Sequence, residues 1–269
     1  MYFNLDELPI EIIKSKKEYY RRQLVFTYNG QKYYYKEMIT YEYYYNEVIA
    51  EKIAKQAGIP CAHYYLGCFA GRDGIISEEI QLEHYQSMQA FLDNHRTRHR
   101  KIRNTFENIW EALDNEFDEA TTARLMDKLV DIFLFDAIIG NPDRNLENYG
   151  LIIEEDSTQF APLIDNEFMT YDKTIKDGYY DLRFDKISER QNMLYYFLDI
   201  SDKTYHERLL KLLPLISKKN LQRIFFELER DGITIPIDIR LKLLKKFAIN
   251  REMIENYFTE KPKTYQKAK

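Results

Sequence analysis

The stretch FDAIIGNPDRNLENYGLII, Phe135–Ile153, decides how this chain is read. An apolar run of helical character ends at Gly140, and a second apolar run, Gly150–Ile153, reads as a strand. Between them stand Asn141, Asp143, Arg144, Asn145 and Asn148. Turn chemistry is one reason for such residues, because Asn and Asp side chains bond their own backbone and tolerate left-handed conformations. The other is a site: Asp143 and Asn148, five apart, can hold a substrate and a metal ion. The order of the surrounding elements separates the two readings.

Composition sets the outer bounds. With 269 residues and 45% hydrophobic content, the chain can build a core and one or two domains. Its 39 basic and 44 acidic residues leave a net charge of -5, which offers no general argument for nucleic acid. Cys61 and Cys68 show neither a CxxC spacing nor a disulfide pattern, so a reduced, cytoplasmic setting is expected. No apolar run approaches the roughly 20 residues of a membrane helix. The start, MYFNLDELPIEII, lacks the basic opening and apolar core of a secretion signal.

The first 80 residues read as strands around one helix. In QLVFTYNGQKYYYK, two β-rich runs, Gln23–Tyr28 and Gln31–Lys36, flank Asn29-Gly30, the signature of a type I′ hairpin turn. Ile10–Lys14 is an earlier strand. In TYEYYYNEVIAEKIAKQAGIP, Thr40 is the expected cap, and Gly58 with Pro60 stops the helix. AHYYLGCFA and GIISEEI, joined across Gly71–Gly74, form a second expected hairpin. After about Gln81 the chain turns helical: Gln86–Asn94, Phe106–Leu113, Ala120–Ile139, Lys203–Leu213, Lys219–Asp231 and Pro236–Phe247. One β pair, GLIIEE and FAPLID, interrupts this series. The expectation is an α+β fold, with a β-rich lobe over residues 1–80 and a larger helical lobe over 81–269. The basic run Arg96–Arg103 is a solvated connection or a docking patch for an acidic or nucleic-acid-bearing partner. No aromatic residue interleaves in it, which speaks against base stacking and direct nucleic-acid binding.

Phosphoryl transfer needs few parts. A carboxylate orients the attacking hydroxyl, two oxygen ligands hold Mg²⁺ against the phosphates, and a lysine neutralises phosphate charge. An acidic residue often holds that lysine. Protein kinases place the first carboxylate and an Asn metal ligand five apart, and a second metal Asp follows a short β pair. Here Asp143 and Asn148 have that spacing, and Asp165 follows the β pair. Upstream, Lys36 ends a hairpin strand and Glu47 lies in the next helix. Each piece alone is weak. The ordered set is much more specific.

GNPDRNLENYGLII and FAPLIDNE, with YYYNEVIAEKIAKQAGIP, resemble the HipA-like kinase family over about Gln31–Asp165. The family's loop reads roughly N-x-D-R-H-x-x-N and is followed by a P-L-x-D segment. The resemblance implies a two-lobed protein-kinase-like fold, ATP with Mg²⁺, and transfer to a serine or threonine of a protein substrate. It implies Asp143 as catalytic base, Asn148 and Asp165 as metal ligands, and Lys36 as the phosphate lysine, held by Glu47. In SEEIQ it implies that the carbonyl of Glu78 and the amide of Ile80 read adenine, with Ile164 under the ring. It also implies a toxin role with a small antitoxin partner.

Two departures stand out. Asn145 replaces the family's His. The place of a glycine-rich loop holds KSKKEYYRR, Lys14–Arg22, with no glycine, so Ser15, Lys16 and Lys17 are the expected phosphate contacts there. Ser15 is also a candidate for autophosphorylation, because HipA-like kinases modify a serine in this loop. Competing readings are a phosphatidylinositol or small-molecule kinase, which shares the Asp–Asn spacing, and a pseudokinase that binds nucleotide or a partner and transfers nothing.

Overall fold

The computed structural model describes residues 2–18, 21–78, 84–95, 106–141, 144–167, 169 and 203–259. Asp143, Ile80 and the basic run Arg96–Arg103 lie outside them.

The N-terminal part is a six-stranded sheet of β1 (Tyr2–Asn4), β2 (Glu11–Glu18), β3 (Arg21–Tyr28), β4 (Gln31–Glu37), β5 (Tyr64–Phe69) and β6 (Arg72–Glu78). The strand order is β1-β5-β6-β4-β3-β2. Only β1 on β5 is parallel; the other neighbours are antiparallel. The β3–β4 turn matches its sequence signal. Asn29 and Gly30 both have positive φ, 52° and 77°, as a type I′ turn requires. The β5–β6 hairpin turns at Ala70 and Gly71 instead of across Gly71–Gly74. Gly74 lies inside β6, where a Cβ would come within 2.2 Å of the Tyr35 ring.

Helix α1 (Tyr41–Ala57) connects β4 to β5. Thr40 stands at its N-cap but makes no side-chain capping bond, while Gly58, at φ 72°, closes the C-terminus as expected. Val48, Ile49, Ile53 and Ala54 join the main core together with Tyr64 and Ile75. Burying a side chain such as Ile49 contributes roughly 1.5–3 kcal/mol. A second core of Leu5, Leu24, Phe26, Tyr35 and Ile76 covers the other face of the sheet. Strand alternation makes this division: Leu24 and Phe26 point one way, Gln23 and Val25 the other.

The rest is mostly helical: α2 (Met88–Asn94), α3 (Phe106–Glu116), α4 (Glu119–Ile139), α5 (Lys203–Leu212), α6 (Lys218–Arg230) and α7 (Ile237–Thr259). Strands β7 (Tyr85–Ser87), β8 (Gly150–Ile153) and β9 (Thr158–Phe160) form a small antiparallel sheet. The helix expected from Gln86 therefore begins at Met88, because Tyr85–Ser87 pairs with β8. Asp118 caps α4 by accepting the Thr121 N–H, and Gly140 ends it at φ 63°. Every residue from Ile132 to Ile139 is buried, so the last two turns of α4 are enclosed and the loop that follows starts from a fixed point. The strand expected from FAPLI is shorter. Thr158–Phe160 forms β9, and Leu163 then makes one parallel bridge to Cys61.

Candidate active site

A cleft of about 190 Å³ lies between the larger sheet, α1 and the segment after β9. Register explains its wall. Gln23, Lys36 and Ile75 are direct partners across β3, β4 and β6, so their side chains share one face. Ser77 is on the same face, opposite Tyr34. Glu47 of α1, Glu78 at the end of β6, and Ile164 with Asp165 complete the lining. Five residues singled out in the sequence, Lys36, Glu47, Glu78, Ile164 and Asp165, thus come together around one space.

The charges are arranged differently from the expected Lys36–Glu47 pair. Lys36 Nζ donates to Asp165 Oδ1 at 2.9 Å and lies 3.2 Å from Glu167 Oε2. Burial alone would lower the Lys36 pKa; the Asp165 and Glu167 carboxylates outweigh it and raise it. Glu47 is buried and bonds Asn166 instead, accepting from its N–H at 2.9 Å and its Nδ2 at 3.2 Å. Burial first, then the Asp165 charge, pushes the Glu47 carboxyl up to about 8. Glu167 takes the second place on Lys36 and also receives Arg21 Nη1 at 2.8 and 3.0 Å.

Arg144 ties the segment from Arg144 to Asn148 to its surroundings. It is 2% exposed. Its Nε and Nη2 each donate to Asp136 at 2.9 Å, Nη2 donates to Asn166 Oδ1 at 2.6 Å, and Nη1 donates to the carbonyls of Asn148 and Ile164 at 3.2 and 2.6 Å. Burial works against this cation, but the Asp136 charge and hydrogen bonds outweigh it and hold Arg144 firmly protonated. One guanidinium nitrogen therefore joins the backbone of Asn148 to that of Ile164, the residue before Asp165. Asp165 itself sits at φ 61°, a left-handed conformation that a non-glycine residue keeps only where its surroundings hold it.

Superposition on the proinflammatory kinase CtkA of Helicobacter pylori gives a TM-score of 0.70 at 16% identity, covering 97% of this chain and 99% of that one. The fold is protein-kinase-like. HipA of the Shewanella oneidensis MR-1 toxin–antitoxin system, solved with HipB and operator DNA, gives a TM-score of 0.54 at 14% identity, over 95% of this chain and 74% of that one. No protein-family model and no curated protein sequence matches the chain.

The expected phosphate-contacting loop, Lys14–Arg22, falls in the β2–β3 hairpin and is strand apart from residues 19 and 20, which are not described. Register separates its candidates. Lys16 pairs with Gln23 and shares the cleft face, whereas Ser15 and Lys17 pair with Leu24 and Arg22 on the opposite face. Of the three expected phosphate contacts, Lys16 therefore stands on the cleft face of the sheet and Ser15 and Lys17 on the other.

Asn148 is buried and Asp165 partly exposed. Among the described residues, no group of three or more His, Cys, Asp or Glu can hold a metal ion. An amide oxygen and one carboxylate still suit Mg²⁺, which usually takes one or two protein ligands plus substrate phosphates. Asp165 Oδ2 makes no hydrogen bond among the described residues, which leaves it available to a cation. Arg21, Arg144, Asn166 and Glu167 are the site residues that sequence reasoning missed. The signal for Arg21 was its spacing of two from Gln23, which stands opposite Lys36.

Proposed function

We propose that the chain is a phosphotransferase that uses ATP with Mg²⁺ and moves the γ-phosphate to a serine or threonine hydroxyl of a protein. The observation that carries this reading is the Lys36–Asp165 pair in the wall of a cleft that Glu78 and Ile164 also line. The kinase-like fold supports phosphate transfer, and the choice of a protein hydroxyl rests on the HipA-like sequence resemblance.

Residues 1–80 then cover the nucleotide and residues 81–269 carry the acceptor side. Glu78 and Ile80 offer backbone groups to the adenine edge, and Ile164 packs against its face. Lys36 neutralises phosphate charge. Asn148 and Asp165 would hold Mg²⁺, which when bound neutralises and orients the phosphates. Asp143 accepts the proton of the attacking hydroxyl. Arg144 fixes the loop that carries Asn148, so the chain needs little rearrangement of that segment before transfer.

No helix among the described residues is long and apolar enough to cross a membrane. A cytoplasmic protein substrate, and a small antitoxin partner like the one implied by the family resemblance, complete the proposal. The test is incubation of the purified chain with labelled ATP, Mg²⁺ and cell lysate, followed by phosphoamino-acid analysis. Label on protein serine or threonine, lost in Asp143→Asn, supports the reading. Label on lipid or a small molecule shifts the acceptor, and ATP binding without transfer shows a pseudokinase.

A further inference from the structure

We propose that Arg21 is a second cationic contact for the terminal phosphates of a nucleoside triphosphate, stored on Glu167 in the nucleotide-free chain. The inference rests on the nucleotide reading above and names a residue outside the sequence motif.

Position comes first. Arg21 opens β3, paired with Glu18 at the end of β2, and stands two residues before Gln23. It therefore shares the sheet face of Gln23, which lines the cleft opposite Lys36. The second observation is a shared carboxylate. Arg21 Nη1 lies 2.8 Å from Glu167 Oε1, and Lys36 Nζ lies 3.2 Å from Oε2 of the same residue. Two cations thus share the Glu167 carboxylate, and one of them, Lys36, also pairs with Asp165.

The third observation is unused donor capacity. A guanidinium presents five N–H donors, matched in pairs to phosphate oxygens. Among the described residues only Nη1 of Arg21 is hydrogen-bonded; Nε and Nη2 have no partner. The side chain is only 11% exposed, and its guanidinium lies 5.0 Å from the centre of the Tyr43 ring. That packing orders the group in advance, so it loses little freedom on meeting an anion. Glu167 keeps Lys36 as a partner when Arg21 turns to a phosphate, so its buried charge is not stranded. A hairpin without glycine cannot bring its bare backbone to the phosphates. A side chain at its base supplies the missing donors.

The competing role for Arg21 is a strut between β3 and the segment after β9. Binding selectivity separates the two. Calorimetric titrations with ATP and with AMP, both with Mg²⁺, are compared for the unaltered chain, Arg21→Ala and Arg21→Lys. A lost charged hydrogen-bond pair to phosphate should weaken ATP about 10- to 100-fold in Arg21→Ala, with AMP changed less than about 2-fold. Arg21→Lys keeps the charge and the Glu167 pair but loses the fork, and should fall between; it also carries the test where Arg21→Ala does not fold. Equal losses for ATP and AMP, or no loss, overturn this inference while leaving the nucleotide reading in place. Failure of the unaltered chain to bind ATP overturns that reading, and this one with it.

Discussion

Replacing Glu47 by Gln should remove a large part of the pH dependence of stability. The carboxyl is 3% exposed, and its Oε2 accepts both Asn166 donors, at 2.9 and 3.2 Å. Burial, then the Asp165 charge, raises its pKa from 4.5 to about 8, against the pull of the Asn166 N–H and of Lys36. Between those values the folded chain holds a proton that the unfolded chain has released. The stability contributed by this group is therefore fully present below about pH 4.5 and is lost as pH rises toward 8. At 1.36 kcal/mol per pH unit the whole span is worth about 5 kcal/mol, and the part between about pH 5 and pH 7.5 about 3 kcal/mol. Gln resembles the protonated acid: its Oε1 can take both Asn166 bonds, and it does not titrate. Groups far from Glu47 titrate alike in both proteins, so the difference between them reports Glu47 together with the groups coupled to it. Urea unfolding followed by circular dichroism over this range should show the Gln variant gaining on the parent by about 3 kcal/mol as pH rises. A stability gap constant to within about 0.5 kcal/mol would refute the reasoning and show that Glu47 is ionised in the fold, compensated by Lys36.

Four further outcomes follow from the same geometry. Asp165→Ala should abolish the Mg²⁺-dependent part of ATP affinity; equal Mg²⁺ enhancement in both proteins removes Asp165 from the metal site. Asp143→Asn should keep ATP binding and lose transfer by about 10²–10⁴-fold, measured as initial rate of labelling. Arg144→Ala leaves Asp136 buried without its cation and should cost about 3–5 kcal/mol in urea unfolding, with a loss under about 1 kcal/mol refuting the clamp. Gly74→Ala puts a Cβ 2.2 Å from the Tyr35 ring and 2.7 Å from the Lys36 carbonyl, and should cost about 1–3 kcal/mol in the same assay.

The elements that could be read from sequence are those whose signals are local. Asn29-Gly30 dictates its own turn, Gly58 and Gly140 end their helices in left-handed conformations, and α4 declares itself by length and apolar content. Strand β2 was half lost because every residue from Glu11 to Lys17 is exposed. An edge strand held by its backbone ladder to β3 needs no apolar alternation, and charged residues on such an edge discourage pairing with other chains. Strand β1 was missed because three residues pair with β5, more than sixty positions away. The site divides in the same way. Lys36 lies in a readable strand, and Asn148 and Asp165 in segments that follow readable elements, whereas Arg21–Glu167 joins residues 146 positions apart and Glu47–Asn166 joins residues 119 apart. Neither partner of such a pair carries a local mark of the other.

Those distant pairs converge on four consecutive residues, and their geometry explains why the segment after β9 is neither strand nor helix. The carbonyl of Ile164 takes Arg144 from the loop after α4. The side chain of Asp165 takes Lys36 from β4, that of Asn166 takes Glu47 from α1 together with Arg144, and that of Glu167 takes Arg21 from β3. A strand would send alternate side chains to only two faces, and a helix would turn its carbonyls inward to its own N–H groups. Reaching a sheet, a helix and a loop with successive residues needs a break in both patterns, and Asp165 at φ 61° provides it. That conformation costs on the order of 1 kcal/mol for a non-glycine residue, and the ion pairs and hydrogen bonds around it offset the cost only while they all hold together. The segment that would present a metal ligand is therefore also the tie between the sheet, α1 and the helical part. Any change that loosens one of its four contacts should be felt at the other three, so the site and the junction of the fold are one cooperative unit.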